Sequence, residues 1–349
     1  MGVKNLAPRH SKRKTDVPAP LYDPSSLQEE SYLRAQRRKR TAGVPTRASA
    51  PPVTRSVRER AAALKRLVRK KPNVALFSAD AKLMGWTAKQ LVIPKTYEEA
   101  LASPQKEFWL RAIEQELATF KKNNAYEWRL RQEAKAGGKT VIPLRYVFDV
   151  KLNARGEVVR FKARLVAKGF RQRPGVDFNE TFSPTPNFSS VRLIAPLALH
   201  FGLTVVQNDA EAAFLHPALP PDERVLAEPP KGVSPPKGAA KAAWIWELLR
   251  CIYGLKQSGR KWHEHVHSFL VRHGFVCLHS DGCVYTHSGE GGRLDVILAV
   301  HVDDFLIAAK PATIAKVEKL LAEEYKMKQL GELSWILAVK FKWASNRRS

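Results

Sequence analysis

The segment that decides the fold reads Val296-Ile-Leu-Ala-Val-His-Val-Asp-Asp-Phe-Leu-Ile-Ala-Ala309. Two apolar runs flank the adjacent acids Asp303 and Asp304, and each run has the length and composition of a buried β-strand. The pattern predicts a hairpin that presents two neighbouring carboxylates at its tip. Because aspartate is favoured in turns, such a pair either solvates the hairpin or binds a metal ion, and the segment alone leaves both interpretations open.

A third acid follows a second predicted strand upstream. Leu203–Asn208 is expected to be a short buried strand that delivers Asp209 to its end, and residues 210–215 are expected to begin a helix. Taken alone, a carboxylate between a strand and a helix is often only the N-cap residue of that helix. Carboxylates from two separate strand ends, however, can hold two hard cations about 3.5–4 Å apart for in-line phosphoryl transfer. One cation then lowers the pKa of an attacking hydroxyl, and the other stabilises the leaving pyrophosphate.

A basic hairpin is predicted between the N-terminal segment and these acids. Thr140–Leu152 and Glu157–Lys168 are β-rich runs joined by Asn153–Gly156, which is typical of a hairpin. The second run alternates apolar residues on one face with three cations on the other; the apolar residues are Val159, Phe161, Ala163 and Leu165, and the cations are Arg160, Lys162 and Arg164. Exposed cations commonly keep a strand edge soluble, but three on one face are also what a phosphate-binding surface requires.

The other apolar patterns predict further helices and a loop. Helical spacing predicts a helix from about Glu98 or Pro104 to Lys122, with Trp109, Ile113 and Phe120 near one face. The other expected elements are a buried helix over Ser190–Phe201 capped by Ser189 or Ser190, a Pro-rich loop over Leu219–Ala239 and a helix over about Gly259–His273.

Charge and composition narrow the class of partner. The 349 residues include 59 Lys and Arg and 33 Asp and Glu, a net charge of +26, which indicates a polyanionic partner. Residues 1–92 are expected to form a basic, largely disordered arm, either for nuclear import or phosphate binding or as a solvated tail. Three cysteines without framework spacing, and no apolar run of about 20 residues, predict a cytoplasmic or nuclear protein that does not enter a membrane.

Five segments, in order, carry a resemblance to a known family. They are Arg160-Phe-Lys-Ala-Arg-Leu-Val-Ala-Lys-Gly-Phe-Arg-Gln172, Asp177-Phe-Asn-Glu-Thr-Phe-Ser-Pro184, Gln207-Asn-Asp-Ala-Glu-Ala-Ala-Phe-Leu-His216, Tyr253-Gly-Leu-Lys-Gln-Ser258 and His301-Val-Asp-Asp304. Together they resemble the reverse transcriptase of copia-type LTR retrotransposons, and the resemblance covers about Pro94–Phe341.

The resemblance implies an α+β fold, a right-hand polymerase in which the palm is an antiparallel sheet backed by helices. It implies an N-terminal helix and fingers over residues 93–190, a palm over residues 191–341 and a short tail over residues 342–349. Asp209 and Asp303 match the family's catalytic aspartates. Asp304 matches the neighbouring acid, which contributes to the electrostatic field and the geometry of the site. These three are the expected site for two Mg²⁺ ions, for which Mn²⁺ is a substitute.

The resemblance also implies a deoxynucleotide-binding site and its substrates. Lys162 and Arg164 match the fingers strand that clamps the incoming triphosphate, and Tyr253 and Gly254 match the loop that floors the nucleotide pocket. Phe214 matches an aromatic ring that excludes ribonucleotides at the 2′ position, although an ordinary core phenylalanine is the alternative. The implied partners are an RNA template, a DNA primer and deoxynucleoside triphosphates.

Two departures from the family pattern bear on activity. His301 stands where the family usually has tyrosine, and Leu337-Ala-Val339 stands where it usually has Leu-Gly-Ile. Most of a thumb and the whole ribonuclease H domain are expected to be absent from this sequence, so that a partner would supply them. The alternative hypothesis is a retrotransposon relic that keeps the fold, binds nucleic acid nonspecifically and catalyses nothing.

Overall fold

The computed structural model describes residues 91–136, 138–153, 155–236, 241–337 and 339–343. All of them belong to the second of two units into which the chain divides, residues 70–349. Most of the predicted basic arm and of the predicted tail, residues 1–90 and 344–349, lies outside the described residues. The described residues form a mixed α+β fold with mainly antiparallel sheets, which confirms the predicted class. Within them, no helix is long and apolar enough to cross a membrane.

Helices and strands alternate irregularly along the described ranges. The helices are α1 (Tyr97–Ala102), α2 (Lys106–Lys122), α3 (Arg131–Ala136), α4 (Phe188–His200), α5 (Ser258–Arg272) and α6 (Pro311–Glu324). The strands are β1 (Tyr126–Leu130), β2 (Val141–Ile142), β3 (Leu144–Leu152), β4 (Val158–Ala167), β5 (Thr204–Ala210), β6 (Val225–Ala227), β7 (Trp244–Leu248), β8 (Val276–Leu278), β9 (Asp281–Ser288), β10 (Leu294–His301), β11 (Asp304–Ala309), β12 (Met327–Glu332), β13 (Trp335–Ile336) and β14 (Val339–Lys340).

The larger sheet has six strands in the order β12-β5-β11-β10-β9-β8, and all its pairs are antiparallel. The predicted aspartate hairpin lies inside it, because β10 and β11 pair from Val296 and Ala309 down to His301 and Asp304. Alternate residues of these two strands pack against α5 and α6 on one face and against α4 on the other. Burial on both faces explains why both strands are apolar at almost every position.

A second core lies around the β3–β4 hairpin, helix α2 and a four-stranded sheet in the order β1-β7-β6-β2. Trp109 of α2 is fully buried, and its ring meets those of Phe148 and Phe161 edge to face at centroid distances of 5.3 and 4.7 Å. Such aromatic pairs add about 0.5–1.5 kcal/mol each beyond the burial of their area. The predicted helix and its buried face are confirmed, although Ser103–Gln105 separates α1 from α2.

The basic hairpin is confirmed, with two differences in detail. The run that begins at Thr140 is divided at Pro143, because proline has no N–H for a ladder, and β2 instead pairs in parallel with β6. The register between β3 and β4 shifts near Leu152, so Val158 is fully buried where Val159 was predicted to be.

The helix predicted over Ser190–Phe201 begins earlier and is less buried than expected. It starts at Phe188 with Asn187 as its N-cap residue, so Ser189 and Ser190 lie inside the first turn. Only one face reaches the sheet, and Leu193 on the other face is 57% exposed. The prediction of a buried helix was therefore wrong, because the apolar residues continue around both sides of α4.

The chain after Asp209 does not form the predicted helix. Strand β5 continues to Ala210, Ala212 adopts a left-handed conformation with φ 56°, and Ala213–Leu215 is a single 3₁₀ turn. The left-handed residue cannot be part of a right-handed helix, and Pro217 follows closely. The predicted Pro-rich loop over Leu219–Ala239 also contains the fully buried strand β6, which is too short to produce a recognisable alternation.

Candidate active site

The three acids singled out in the sequence meet where β5 ends and β11 begins. Asp304 is the partner of Asp209 in the β5–β11 ladder, and the Ala210 N–H donates to the Asp303 carbonyl at 2.7 Å. The turn between β10 and β11 places Val302 at φ 55°, a strained conformation for a β-branched residue. The Trp262 indole N–H donates to the Val302 carbonyl at 2.6 Å, so α5 holds the strained turn in place.

The carboxylates of this cluster repel one another. Burial raises the pKa of Asp209, and the negative charge of Asp303 raises it further. Burial also raises the pKa of Asp303, to which the charge of Asp304 adds. The third carboxylate is held by a side chain, because the Gln207 amide donates to Asp304 Oδ1 at 2.9 Å. The site thus places several negatively charged carboxylates close together at partly buried positions.

Cations from the basic hairpin and from β12 surround these acids. The charges of Lys151, Lys162 and Lys328 each act to lower the pKa of Asp209, and that of Lys162 does the same for Asp303. Burial, together with the like charges of Arg164 and Lys151, lowers the pKa of Lys162 to about 8. The hairpin therefore directs one of its predicted phosphate-binding cations at the aspartates.

Sequence reasoning missed Lys151 and Lys328. Lys151 is the partner of Arg160 in the β3–β4 ladder, so pairing the predicted strands residue by residue would have found it. Lys328 is the partner of Asp209 in the β5–β12 ladder. Only the sheet topology shows that pairing, since more than a hundred residues separate the two strands.

The residues predicted to bind the nucleotide form a connected group. The Arg164 guanidinium carbon lies 5.7 Å from the centroid of the Tyr253 ring, a cation–π contact. The Tyr253 ring in turn meets the Phe214 ring edge to face at 4.8 Å. Burial raises the pKa of Tyr253, and the nearby charge of Asp303 adds to it. The structure thus connects Arg164, Tyr253 and Phe214 with the carboxylate cluster.

The loop that carries Tyr253 is fixed against the end of β4. The Ala167 N–H donates to the Tyr253 carbonyl at 2.8 Å. Gly254 has φ 85°, and a Cβ at this position would overlap the Ala167 carbonyl. Glycine is therefore required at residue 254 for two reasons, the left-handed backbone and the close approach of the two chains.

A glutamate supports the cationic strand from the side that β3 does not cover. The Glu116 carboxylate on α2 accepts a hydrogen bond from the Leu165 N–H at 2.8 Å. Burial raises the pKa of Glu116, although the charges of Lys162 and Arg164 act in the opposite direction. Sequence reasoning gave Glu116 no role in the site.

The donor set of the acid cluster suits a hard divalent cation. Carboxylate oxygens are the ligands that Mg²⁺ prefers, and a bound cation would offset the burial and the repulsion that together raise the pKa values of Asp209 and Asp303. In the described ranges, no three His, Cys, Asp or Glu side chains are arranged as a formed metal centre. Metal binding by Asp209, Asp303 and Asp304 therefore stays a prediction.

Comparisons with known proteins show which family this chain is similar to. The profile of the family described as "Reverse transcriptase (RNA-dependent DNA polymerase)" matches residues 126–348. The "Retrovirus-related Pol polyprotein from transposon TNT 1-94" of Nicotiana tabacum is 36% identical over 71% of this chain and 18% of its own length. The "Retrovirus-related Pol polyprotein from transposon RE2" of Arabidopsis thaliana is 33% identical over 58% of this chain and 14% of its own length.

A solved structure of a foamy viral protease–reverse transcriptase in complex with double-stranded DNA aligns with 64% of this chain and 32% of that one, at 13% identity and a TM-score of 0.34. The chain spans less than a fifth of the length of the curated relatives named above. The family match extends over more than half of this chain and includes both aspartate segments. The chain belongs to the reverse transcriptase (RNA-dependent DNA polymerase) family, in its branch from copia-type LTR retrotransposons.

Proposed function

We propose that this chain extends a DNA primer on an RNA or DNA template by transferring deoxynucleotides to the primer's 3′ end. The observation that supports this most is the convergence of Asp209, Asp303 and Asp304 at the ends of β5 and β11. Family membership supplies the class of reaction, and the acid cluster lies beside the cationic hairpin that the reaction requires.

The residues of the nucleotide site each have a role in this reaction. Lys162 and Arg164 bind the triphosphate, for which a cation and a planar guanidinium are suited. Tyr253 orients Arg164 through their cation–π contact, and Gly254 lets the loop approach the nucleotide closely. The Phe214 ring, held edge to face on Tyr253, excludes the 2′-hydroxyl of ribonucleotides by its bulk.

Asp209, Asp303 and Asp304 would hold two Mg²⁺ ions, or Mn²⁺ in their place. Such ions lower the pKa of the primer hydroxyl and stabilise the departing pyrophosphate. The protein itself holds the carboxylates in position through the β5–β11 ladder, the Gln207 amide and the Trp262 indole.

The same proposal assigns a part of a polymerase to each range of the chain and names its partners. Residues 93–190 contain the fingers and residues 191–341 the palm, with a basic arm over residues 1–92. The partners are an RNA template, a DNA primer and deoxynucleoside triphosphates. The site of action is the cytoplasm, the nucleus or both.

Primer extension on an RNA template tests the proposal directly. The full chain is incubated with Mg²⁺ and all four deoxynucleotides beside two variants, Asp303→Asn and Asp295→Asn. Asp295 lies at the opposite end of the β10–β11 hairpin and accepts a hydrogen bond from Thr313 Oγ1 at 3.2 Å, so it is a matched control. We expect extension by the wild type and by Asp295→Asn only. Extension that survives Asp303→Asn, or a folded wild type that never extends the primer, contradicts the proposal.

A second candidate function is nonspecific nucleic-acid binding without catalysis. The observation in its favour is His301, which pairs with Asp304 across the hairpin and stands where the family usually has tyrosine. A protein that binds primer–template with steep salt dependence but extends it only after His301→Tyr would be such a binder with a damaged site. Extension by the wild type excludes this candidate.

A further inference from the structure

Phe170 is an exposed aromatic ring beside the proposed nucleotide site. It lies in the 3₁₀ turn Gly169–Arg171 that directly follows β4, and it is 76% exposed. An exposed ring of this size does not gain the favourable free energy that burial of its apolar area would supply. Such a position is informative only where the backbone is rigidly held, because a mobile loop would leave any residue exposed.

The turn is held on its N-terminal side by close backbone packing. Gly169 is buried, and a Cβ at this position would overlap the Gly254 carbonyl. The Arg171 N–H donates to the Lys168 carbonyl at 3.0 Å, and the Gln172 N–H donates to the Gly169 carbonyl at 2.9 Å. The residue before Phe170 is thus in direct contact with the loop that carries Tyr253.

Two buried glutamines hold the turn on its C-terminal side. Gln172 Oε1 accepts from the Lys256 N–H at 2.8 Å, and Gln172 Nε2 donates to Gln257 Oε1 at 3.0 Å. Both side chains also donate to the Asp177 carbonyl at 3.4 Å. Gln172 and Gln257 are 6% and 1% exposed, so breaking these bonds would leave buried amides without partners. The exposed ring of Phe170 is therefore presented by a rigid support.

Three cations lie near the Phe170 turn, two by sequence and one through a backbone contact. Lys168 and Arg171 flank Phe170 in sequence, and Lys256 is brought close by its backbone bond to Gln172. None of these three cations forms an ion pair with a carboxylate in the described part of the chain. Arg173, by contrast, pairs with Asp177 at 3.5 Å. The surface therefore combines one exposed aromatic face with positive charge that the protein itself does not neutralise.

We propose that Phe170 is a stacking platform for an unpaired base of the template strand and that Lys168, Arg171 and Lys256 bind the adjoining phosphates. An exposed aromatic ring among cations is the combination that binds single strands without sequence preference. This inference rests on the proposed function, because the strand that lies unpaired beside an incoming nucleotide is the template ahead of the primer end.

The test compares two DNA duplexes of identical paired sequence, one blunt and one with a 5′ single-stranded template extension. Equilibrium binding of the full chain is measured without deoxynucleotides or metal. We expect Phe170→Ala to weaken binding of the extended duplex by about 5- to 150-fold, the range for loss of one stacked base, and to leave blunt binding unchanged. Phe170→Trp should restore the affinity.

A matched control and a salt titration separate stacking from charge. Phe201→Ala removes another exposed phenylalanine, at the end of α4, and should change neither affinity. Phe170→Ala should leave the salt dependence unaltered, whereas Arg171→Ala should reduce its slope by about one phosphate contact. Because the Phe170 side chain is exposed, the thermal melt of Phe170→Ala should match that of the wild type.

Three results would overturn the inference: equal losses on both duplexes, no loss on the extended duplex, or no restoration by tryptophan. A loss shared by Phe201→Ala would do the same. Failure of the proposed function gives a different result, because a chain that never extends a primer can still show the overhang-specific loss. If Phe170 instead contacts a partner protein, extended-duplex binding will be unchanged in Phe170→Ala.

Discussion

The two regions that form the site position their charges in different ways. The acids lie at the ends of strands β5 and β11, which are inside a six-stranded sheet with helices packed on both faces. Except for Lys328 on β12, the cations lie on a two-stranded hairpin whose second strand is supported by α2 and by the Glu116 carboxylate. The acids thus depend on packing inside a six-stranded sheet, whereas the cations depend on a hairpin that packs on α2 and on the second core.

The two regions therefore differ in what a substitution changes. Substitution of an aspartate removes a charge but leaves intact the sheet that positions it. Substitution in the hairpin, or in the loop that joins it to the sheet, changes both the charge and the support that positions it. The following predictions test this contrast.

The largest effect is expected from Asp209→Asn. The amide keeps the size of the side chain and removes the charge, so extension should fall by about 10³-fold or more. Burial and the charge of Asp303 raise the pKa of Asp209, so removing its charge should not destabilise the fold. Single-turnover extension and urea unfolding measure the two quantities. A large loss of stability would show that the sheet depends on this charge and would erase the contrast between the regions.

A smaller effect is expected at the junction of the two regions, from Gly254→Ala. The left-handed backbone alone costs about 1–2 kcal/mol for a non-glycine residue. The overlap of the new Cβ with the Ala167 carbonyl adds to that cost and moves the Tyr253 loop. We therefore expect a loss of stability above that range in thermal unfolding, together with a higher KM for deoxynucleotides.

Gly156 in the β3–β4 turn is the matched control for Gly254. It has φ 75°, but a Cβ there meets nothing within 4 Å. Gly156→Ala should carry only the cost of the backbone conformation and leave KM unchanged. Equal destabilisation by the two variants would mean that the close approach of Gly254 to β4 contributes nothing.

The third effect concerns the planar group of Arg164. Arg164→Lys keeps the charge and loses the guanidinium plane over the Tyr253 ring, so KM for deoxynucleotides should rise by about 5- to 10-fold. Steady-state extension at fixed primer–template measures the change. Arg145→Lys, on the exposed side of β3, should leave KM as it is. A matching rise in both variants would assign the effect to general phosphate binding.

The sequence predicted the regular part of this architecture well and the irregular part poorly. The β10–β11 hairpin, the basic hairpin and α5 were found because their apolar periodicity is long and uninterrupted. The helix predicted after Asp209 is absent, because the left-handed conformation of Ala212 has no signal in an alanine-rich run. Strand β6 was missed because three residues are too few to show a period.

The members of the candidate site came from the motif resemblance and stay a prediction, and sequence reasoning missed several residues around them. Pairing of the predicted strands would have placed Lys151 near the site, whereas Lys328 is brought to Asp209 only by the complete sheet order. The contacts of Gln207 and Trp262 with the aspartate hairpin are equally invisible in sequence, because they join segments tens of residues apart. Burial, which lowers the pKa of Lys162, also depends on the assembled fold.

The effect that is smallest at pH 7 follows from that pKa and appears only in the pH dependence. Burial lowers the pKa of Lys162 to about 8, so the side chain carries its charge below that pH and loses it above. Since kcat/KM reports the free enzyme, kcat/KM for deoxynucleotides should fall by up to about tenfold for each pH unit above the pKa. Lys162→Arg keeps a charge at every pH used, so this fall should disappear while activity at pH 7 changes little. A fall that persists in Lys162→Arg would assign the titration to another group. It would also mean that Lys162 keeps its charge across this pH range despite its burial.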